Sequence, residues 1–105
     1  MNQYDIVLVN LDPTIGSEIQ KTRPCVIVSP DELNHNLQTI VVSPMTTTLR
    51  SYPTRVELKL NGKTSSIAID QIRTIDKVRI IKILGKLNKS EIREVKSVIK
   101  ETFVD

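Results

Sequence analysis

The residues of this chain best suited to chemistry stand where expected strands meet loops: Ser17 and Glu18 within the first loop, Arg23 at its close, Thr46 and Thr47 after the third strand, and Asp70 after the fifth. Arg23 sits where a turn-rich, charged stretch beginning at Asp12 passes into the apolar run Cys-Val-Ile-Val at 25–28. A guanidinium presents a planar fork of donors that matches phosphate or carboxylate oxygens, and it stays charged across the physiological range. Threonine hydroxyls can add hydrogen bonds to the same oxygens. A dianionic phosphorane forming at such a site would be stabilised by roughly 3–4 kcal/mol per well-placed donor. Each residue also has a plainer reading. Arg23 can cap a sheet edge or pair with Glu18; Glu18 can be a solvated loop charge; Thr46 to Thr48 can form an ordinary turn stiffened by β-branching; and Asp70 can bond its own backbone.

Other chemistries find no support. No Cys/His spacing suits zinc, and there is no glycine-rich phosphate loop or nucleophile elbow, so no metal or cofactor is expected. His35 is the only imidazole, which rules out a histidine pair for acid–base work; between Asn34 and Asn36 it reads as an exposed turn residue. Cys25 is the only cysteine, so no intramolecular disulfide can form, and within its apolar run it reads as a small buried hydrophobe.

The elements that must position these residues follow from pattern. Tyr4–Leu11 is a strand of β-branched and aliphatic residues stopped by Asp12-Pro13, and Gly16 is the most permissive point of the loop that follows. Pro24–Ser29 reads as a second strand, residues 31–37 as a turn or one short helical turn, and Gln38–Ser43 as a third strand stopped by Pro44. From Thr54 to Leu60 the alternation puts Val56, Leu58 and Leu60 on one face and Arg55, Glu57 and Lys59 on the other. Asn61-Gly62 is a hairpin turn into Ser65–Ile69, and Arg79–Leu84 is a further strand ending at Gly85. Ser90 is placed as the N-cap of a helix reaching about Phe103, with Glu91 in its first turn and Ile92, Val95, Ile99 and Phe103 forming one apolar stripe. The expected fold is mainly β (α+β): a small SH3-like barrel or half-open sheet of five to seven strands packed by a C-terminal helix, in a single domain over residues 1–105.

Composition agrees. Apolar residues make up 39% and charged residues 26%, while aromatics are only 3%, so the core must be built from Ile, Val and Leu. No secretion signal and no run of about 18 apolar residues is present, which leads to the expectation of a soluble cytoplasmic protein without membrane association. The net charge of +3 is unevenly placed: residues 77–105 hold eight Lys and Arg against four Asp and Glu. That segment is either a solvated polar face or a surface for an acidic partner.

Five blocks, in order and at suitable spacing, resemble the PemK/MazF-type toxins of type II toxin–antitoxin systems over nearly the whole chain. They are D-I-V-L-V-N-L-D-P-T-I-G-S-E at 5–18, T-R-P-C-V-I-V-S-P at 22–30, V-S-P-M-T-T at 42–47, Y-P-T-R-V at 52–56 and I-D-Q-I-R-T-I-D at 69–76. The resemblance implies a metal-independent endoribonuclease, an mRNA interferase that cuts single-stranded RNA at short sequences. In it the ribose 2′-hydroxyl attacks the adjacent phosphodiester and leaves a 2′,3′-cyclic phosphate and a 5′-hydroxyl. It further implies a homodimer neutralised by an acidic, partly disordered antitoxin, with any DNA contact made only through that complex. By position, Arg23 matches the family's catalytic arginine and Thr46 its catalytic threonine. Ser17 and Glu18 fall in the gating loop, Asp70 matches an aspartate used for catalysis or base contact, and Thr47 and Arg73 fall in the same blocks. Many members read G-S-E-Q-x-G-x-R-P, whereas here Ile19 replaces the glutamine and Lys21 the second glycine, implying a stiffer loop and a further phosphate contact at Lys21. Some members carry a histidine at Ser17 and an arginine at Ala68, so acid–base schemes built on those two do not transfer. The same fold also hosts DNA gyrase poisons, and a catalytically silent SH3-like interaction module is the third reading.

Overall fold

Segments dominated by β-branched and aliphatic residues pair with one another, and in the computed structural model, which describes residues 1–105, they form seven strands. These are β1 (Asp5–Asn10), β2 (Thr22–Ile27), β3 (Thr39–Thr46), β4 (Arg55–Leu60), β5 (Lys63–Ala68), β6 (Arg73–Asp76) and β7 (Ile80–Lys86). A short helix α1 (Asp31–Asn36) links β2 to β3, and α2 (Lys89–Phe103) closes the chain. The strands are antiparallel in the order β4-β5-β3-β2-β1-β7, with β6 alongside the first half of β3. The result is a curled half-barrel whose outer strands are β4 and β7.

Alternation along each strand gives the sheet two apolar faces. On one, Ile6, Val26, Met45, Val56 and Ile67 pack beneath α2 through Val95, Ile92, Val98 and Ile99. On the other, Val7, Val9, Leu11, Cys25, Ile27 and Val42 form a second layer, against which Ile19 of the first loop and Ile80 pack. A sheet buried on both faces lacks the clean in–out alternation of a solvated one, which accounts for the near-continuous apolar runs of β1 and β2.

Four expectations are corrected. The third strand does not stop at Pro44: it runs to Thr46, because after Pro44 the chain still pairs with β5 through Met45↔Ile67 and Thr46↔Ser66. Residues 73–76 form a strand that alternation alone did not reveal, recruited by pairing with β3. The helix begins at Lys89 with Asn88, not Ser90, as N-cap. Asn88 Oδ1 accepts from the Glu91 amide at 2.8 Å and Glu91 Oε1 accepts from the Asn88 amide at 2.8 Å, a reciprocal capping box. Val98 takes the place of Phe103 in the buried stripe, and Phe103 stays exposed at the end of the helix. The Asn61-Gly62 hairpin is as expected: both residues have positive φ, 52° and 80°, the geometry of a type I′ turn.

Candidate active site

The first loop, residues 11–21, crosses one end of the sheet and shapes two adjoining pockets beneath it. Its course is fixed at several points. The Ile19 amide donates to Gln71 Oε1 at 2.8 Å while the Ile19 side chain packs on the second apolar layer. The Lys21 amide donates to Asp12 Oδ1 at 2.8 Å, and the Leu11 amide to the Lys21 carbonyl at 3.0 Å. Lys21 occupies the left-handed region, φ 71°, where a side chain is disfavoured. The glycine that the resembling pattern carries at this position has a physical reason, and this chain does without it.

Ser17, Glu18, Ile19 and Gln71 border both pockets. The larger, about 420 Å³, also takes in Pro44, Asp70, Ile72 and Arg73. The smaller, about 260 Å³, is lined by Arg23, Thr46, Thr48, Arg50 and Arg55. Size and charge therefore separate: the smaller pocket holds three guanidinium groups against the single carboxylate of Glu18.

Arg23 reaches this pocket from β2. The β2–β3 register pairs Cys25 with Pro44, and continuing it along both strands sets Arg23 across from Thr46. Arg23 Nε donates to the Gln20 carbonyl at 3.2 Å, which orients the side chain and leaves both terminal nitrogens without a protein partner. It makes no ion pair with Glu18, since the one salt bridge in the structure joins Arg55 and Asp70. Thr46 is buried at the end of β3, and its Oγ1 accepts the Thr48 amide at 3.1 Å. With that lone pair engaged, the hydroxyl proton is the group left to donate into the pocket. An arginine fork and a threonine O–H directed into one open cavity can together bind a tetrahedral oxyanion.

Asp70 lies at the other end of a fixed pair. It sits in the 3₁₀ turn Ile69–Gln71 after β5; its Oδ1 accepts from Arg55 Nε and from Thr54 Oγ1, each at 2.9 Å, and its Oδ2 from Arg55 Nη2 at 3.4 Å. Burial is the largest single influence on its carboxyl and pushes the pKa up. The hydrogen bonds from Arg55 and Thr54, with the Arg55 charge, outweigh it and hold the pKa below the ordinary 3.8. Asp70 is thus a firmly ionised carboxylate and a weak base. Arg73 borders the larger pocket and donates to the Leu11 carbonyl at 3.2 Å, tying β6 to the root of the loop. Lys21 and Thr47 are exposed and border neither pocket; Thr47 points away because Thr46 and Thr48 take the pocket side of the chain.

Sequence reasoning missed Arg50, Thr48, Gln71 and above all Arg55. The signal for Arg55 was its place on the polar face of β4, but only the register, Arg55↔Ala68, shows that this face leads to the site. Cys25 is fully buried, and burial pushes its thiol up to about 12, countered weakly by the Arg73 charge, so it is inert rather than nucleophilic. His35 is exposed on α1, remote from both pockets. No cluster of three or more His, Cys, Asp or Glu side chains is placed to hold a metal ion, and no helix is long and apolar enough to cross a membrane.

A family model described as PemK-like, MazF-like toxin of type II toxin–antitoxin system matches residues 2–103. The chain is 34% identical to the endoribonuclease MazF of Staphylococcus saprophyticus, over 94% of this chain and 88% of that one. Among solved structures, the Mycobacterium tuberculosis toxin MazF-mt6 superposes with a TM-score of 0.80 at 26% identity, covering 94% of this chain and 95% of the other. The Deinococcus radiodurans MazF superposes at 0.85 with 23% identity, over 96% and 94% of the two chains. A mycobacterial endoribonuclease solved with its cognate antitoxin superposes at 0.82 with 20% identity, over 96% and 92%.

Proposed function

This chain belongs to the PemK-like, MazF-like toxins of type II toxin–antitoxin systems, and we propose that it is a sequence-specific endoribonuclease that cleaves single-stranded RNA without a metal. The observation that carries this reading is the convergence of Arg23 and Thr46 on one open pocket, each with donor hydrogens that no protein group uses. The ribose 2′-hydroxyl is the nucleophile. It attacks the adjacent phosphorus, the 5′-oxygen departs, and a 2′,3′-cyclic phosphate and a 5′-hydroxyl remain. Arg23 binds the non-bridging oxygens as negative charge builds on the phosphorane, and Thr46 donates to the same group. Both are fixed before substrate arrives, by the Gln20 carbonyl and the Thr48 amide, so little reorganisation accompanies the step. DNA, lacking the nucleophile, is not a substrate.

Ser17 and Glu18, on the loop roof common to both pockets, contact the bound strand, and Arg73 in the larger pocket lies along its path. The relatives solved with a partner, including the Deinococcus radiodurans MazE–MazF complexes, support an antitoxin as this protein's partner too. The basic surplus of residues 77–105 suits an acidic one. The reading places a single-domain homodimer in the cytoplasm, where its messenger RNA substrate is found.

The test is incubation of antitoxin-free protein with a long single-stranded RNA in EDTA, followed by mapping of the new ends. Cutting at a short recurring sequence with cyclic-phosphate ends is expected. Arg23→Ala lowers the rate by about 10²–10³-fold, the scale of one lost oxyanion donor, and leaves the fold intact because Arg23 belongs to neither apolar layer. Folded wild-type protein that cuts nothing, or that blocks DNA supercoiling instead, overturns the reading.

A further inference from the structure

Arg55 is built unlike the other arginines of the smaller pocket. Arg50 is exposed on the loop before β4, and Arg23 is half-buried with one backbone contact. The Arg55 side chain is only 8% exposed, yet it borders the same pocket. Two of its three nitrogens are locked on Asp70, at 2.9 and 3.4 Å, and its Cζ lies 5.3 Å from the centre of the Tyr52 ring. The third nitrogen, Nη1, has no protein partner. It is not sealed in the protein either, because Ser66 Oγ is the only buried side-chain polar atom left without one. The free edge of the guanidinium therefore opens toward the pocket. Withdrawing an arginine from water costs more than one exposed carboxylate on its far side recovers, so the pair is a poor device for stability alone. It is a good device for holding a cation edge-on to an incoming anion.

We propose that Arg55 is a second phosphate ligand of this pocket, binding a phosphodiester of the RNA next to the one that Arg23 and Thr46 hold. Asp70 is then a positioning residue that acts through Arg55 and does not touch the substrate. The inference rests on the RNA-binding part of the function proposed above. Two anions answer the charge of the smaller pocket, where Arg23, Arg50 and Arg55 face Glu18 alone and Asp70 sits on the side of the larger one. Asp70 engages both carboxylate oxygens and is held ionised, so it has little capacity left for a base or a phosphate. Arg55 stands opposite Ala68 in the β4–β5 register, and a methyl group offers nothing to compete for the guanidinium.

The test is equilibrium binding of a 2′-O-methyl oligoribonucleotide, which cannot be cut, followed by fluorescence anisotropy over a salt series. Removing one phosphate contact on a single strand reduces the slope of log Kd against log salt by about 0.7. Arg55→Gln is expected to show that loss and to bind roughly tenfold more weakly or worse. Arg55→Lys keeps the slope but binds more weakly, because a point charge cannot hold Asp70 and phosphate at once. If Arg55→Gln does not fold, this second variant decides: unchanged affinity overturns the assignment. Asp70→Asn discriminates by sign. Removing a carboxylate beside an anion site would tighten binding on charge alone, whereas loss of Arg55 positioning weakens it. In the Arg55→Gln background the Asp70 change is expected to do nothing further. A wild-type slope in folded Arg55→Gln, tighter binding by Asp70→Asn, or full additivity of the two overturns the proposal. Wild-type protein that binds with the expected slopes but cuts no ordinary RNA retains the Arg55 assignment and removes the nuclease reading; wild-type protein that does not bind removes both.

Discussion

At the scale of single residues, the one ion pair joins Arg55 to Asp70, while Arg23 keeps both terminal nitrogens free of protein partners. Arg23 at a loop–strand junction and Thr46 at a strand end were legible from type and place alone, and both border the smaller pocket. Arg55 was hidden for the opposite reason: within Arg-Val-Glu-Leu-Lys it looks like one solvated charge among others, and only the carboxylate found fifteen residues later distinguishes it. Asp70 was legible as a polar strand-end residue but not as the partner of Arg55, since a contact across a hairpin leaves no local mark. The pair makes a pH-dependent contribution whose sign is fixed. Asp70 titrates below 3.8 in the folded protein and near 3.8 once unfolded, so its stabilisation is complete above that value and is lost as pH falls from there through the lower, folded-state pKa. Screened by solvent, the contribution is no more than about 1 kcal/mol. The gap between the denaturant midpoints of wild type and Asp70→Asn is expected to be widest at about pH 7 and to narrow as acid protonates Asp70; a gap that does not change with pH would show that the carboxylate charge contributes nothing.

At the scale of elements, turns and caps were legible wherever the signal was local. Asn61-Gly62 specifies its turn, because both residues tolerate positive φ. The helix start was misplaced by two residues because serine and asparagine are both good caps and Glu91 suits either. What decided for Asn88 was reciprocity with Glu91 three residues on. Pro44 did not end its strand because it pairs with Cys25 while Met45 and Thr46 go on to pair with β5, a crossover between neighbours that no single-strand pattern reveals. The first loop keeps its shape through Gly16 in the left-handed region and the Ile19–Gln71 hydrogen bond, without a second glycine, and it bears backbone strain at Lys21. Lys21→Gly is therefore expected to stabilise the protein by about 0.5–1 kcal/mol, relief of the left-handed penalty being partly offset by the greater freedom of glycine in the unfolded chain. Urea unfolding checks this. A destabilised variant would mean that the lysine side chain, and not the backbone, holds the loop.

At the scale of the whole molecule, the fold class was legible from short apolar segments and a single amphipathic stripe, but the strand order was not, since it depends on long-range register. The charge distribution gives this topology a consequence that bears on both stability and function. Fifteen basic and twelve acidic residues yield one ion pair, so the two apolar layers, and not electrostatics, hold the half-barrel together. The proposed RNA site, by contrast, is electrostatic throughout: three guanidinium groups and one carboxylate, Glu18, border its smaller pocket, and only Arg55 of the three is ion-paired. Salt should therefore separate the two properties. Raising ionic strength from about 50 to 200 mM screens surface charges within a Debye length of roughly 14 to 7 Å and is expected to move the melting temperature by no more than about 4 °C, the equivalent of one surface pair. Over the same range RNA affinity falls by an order of magnitude or so, because at least two phosphate contacts release their counterions. Differential scanning fluorimetry and anisotropy on the same samples measure both. A melting temperature that followed the affinity would mean that the pocket's cations are part of the core's support, and would tie recognition to folding in a way that the two separate apolar layers argue against.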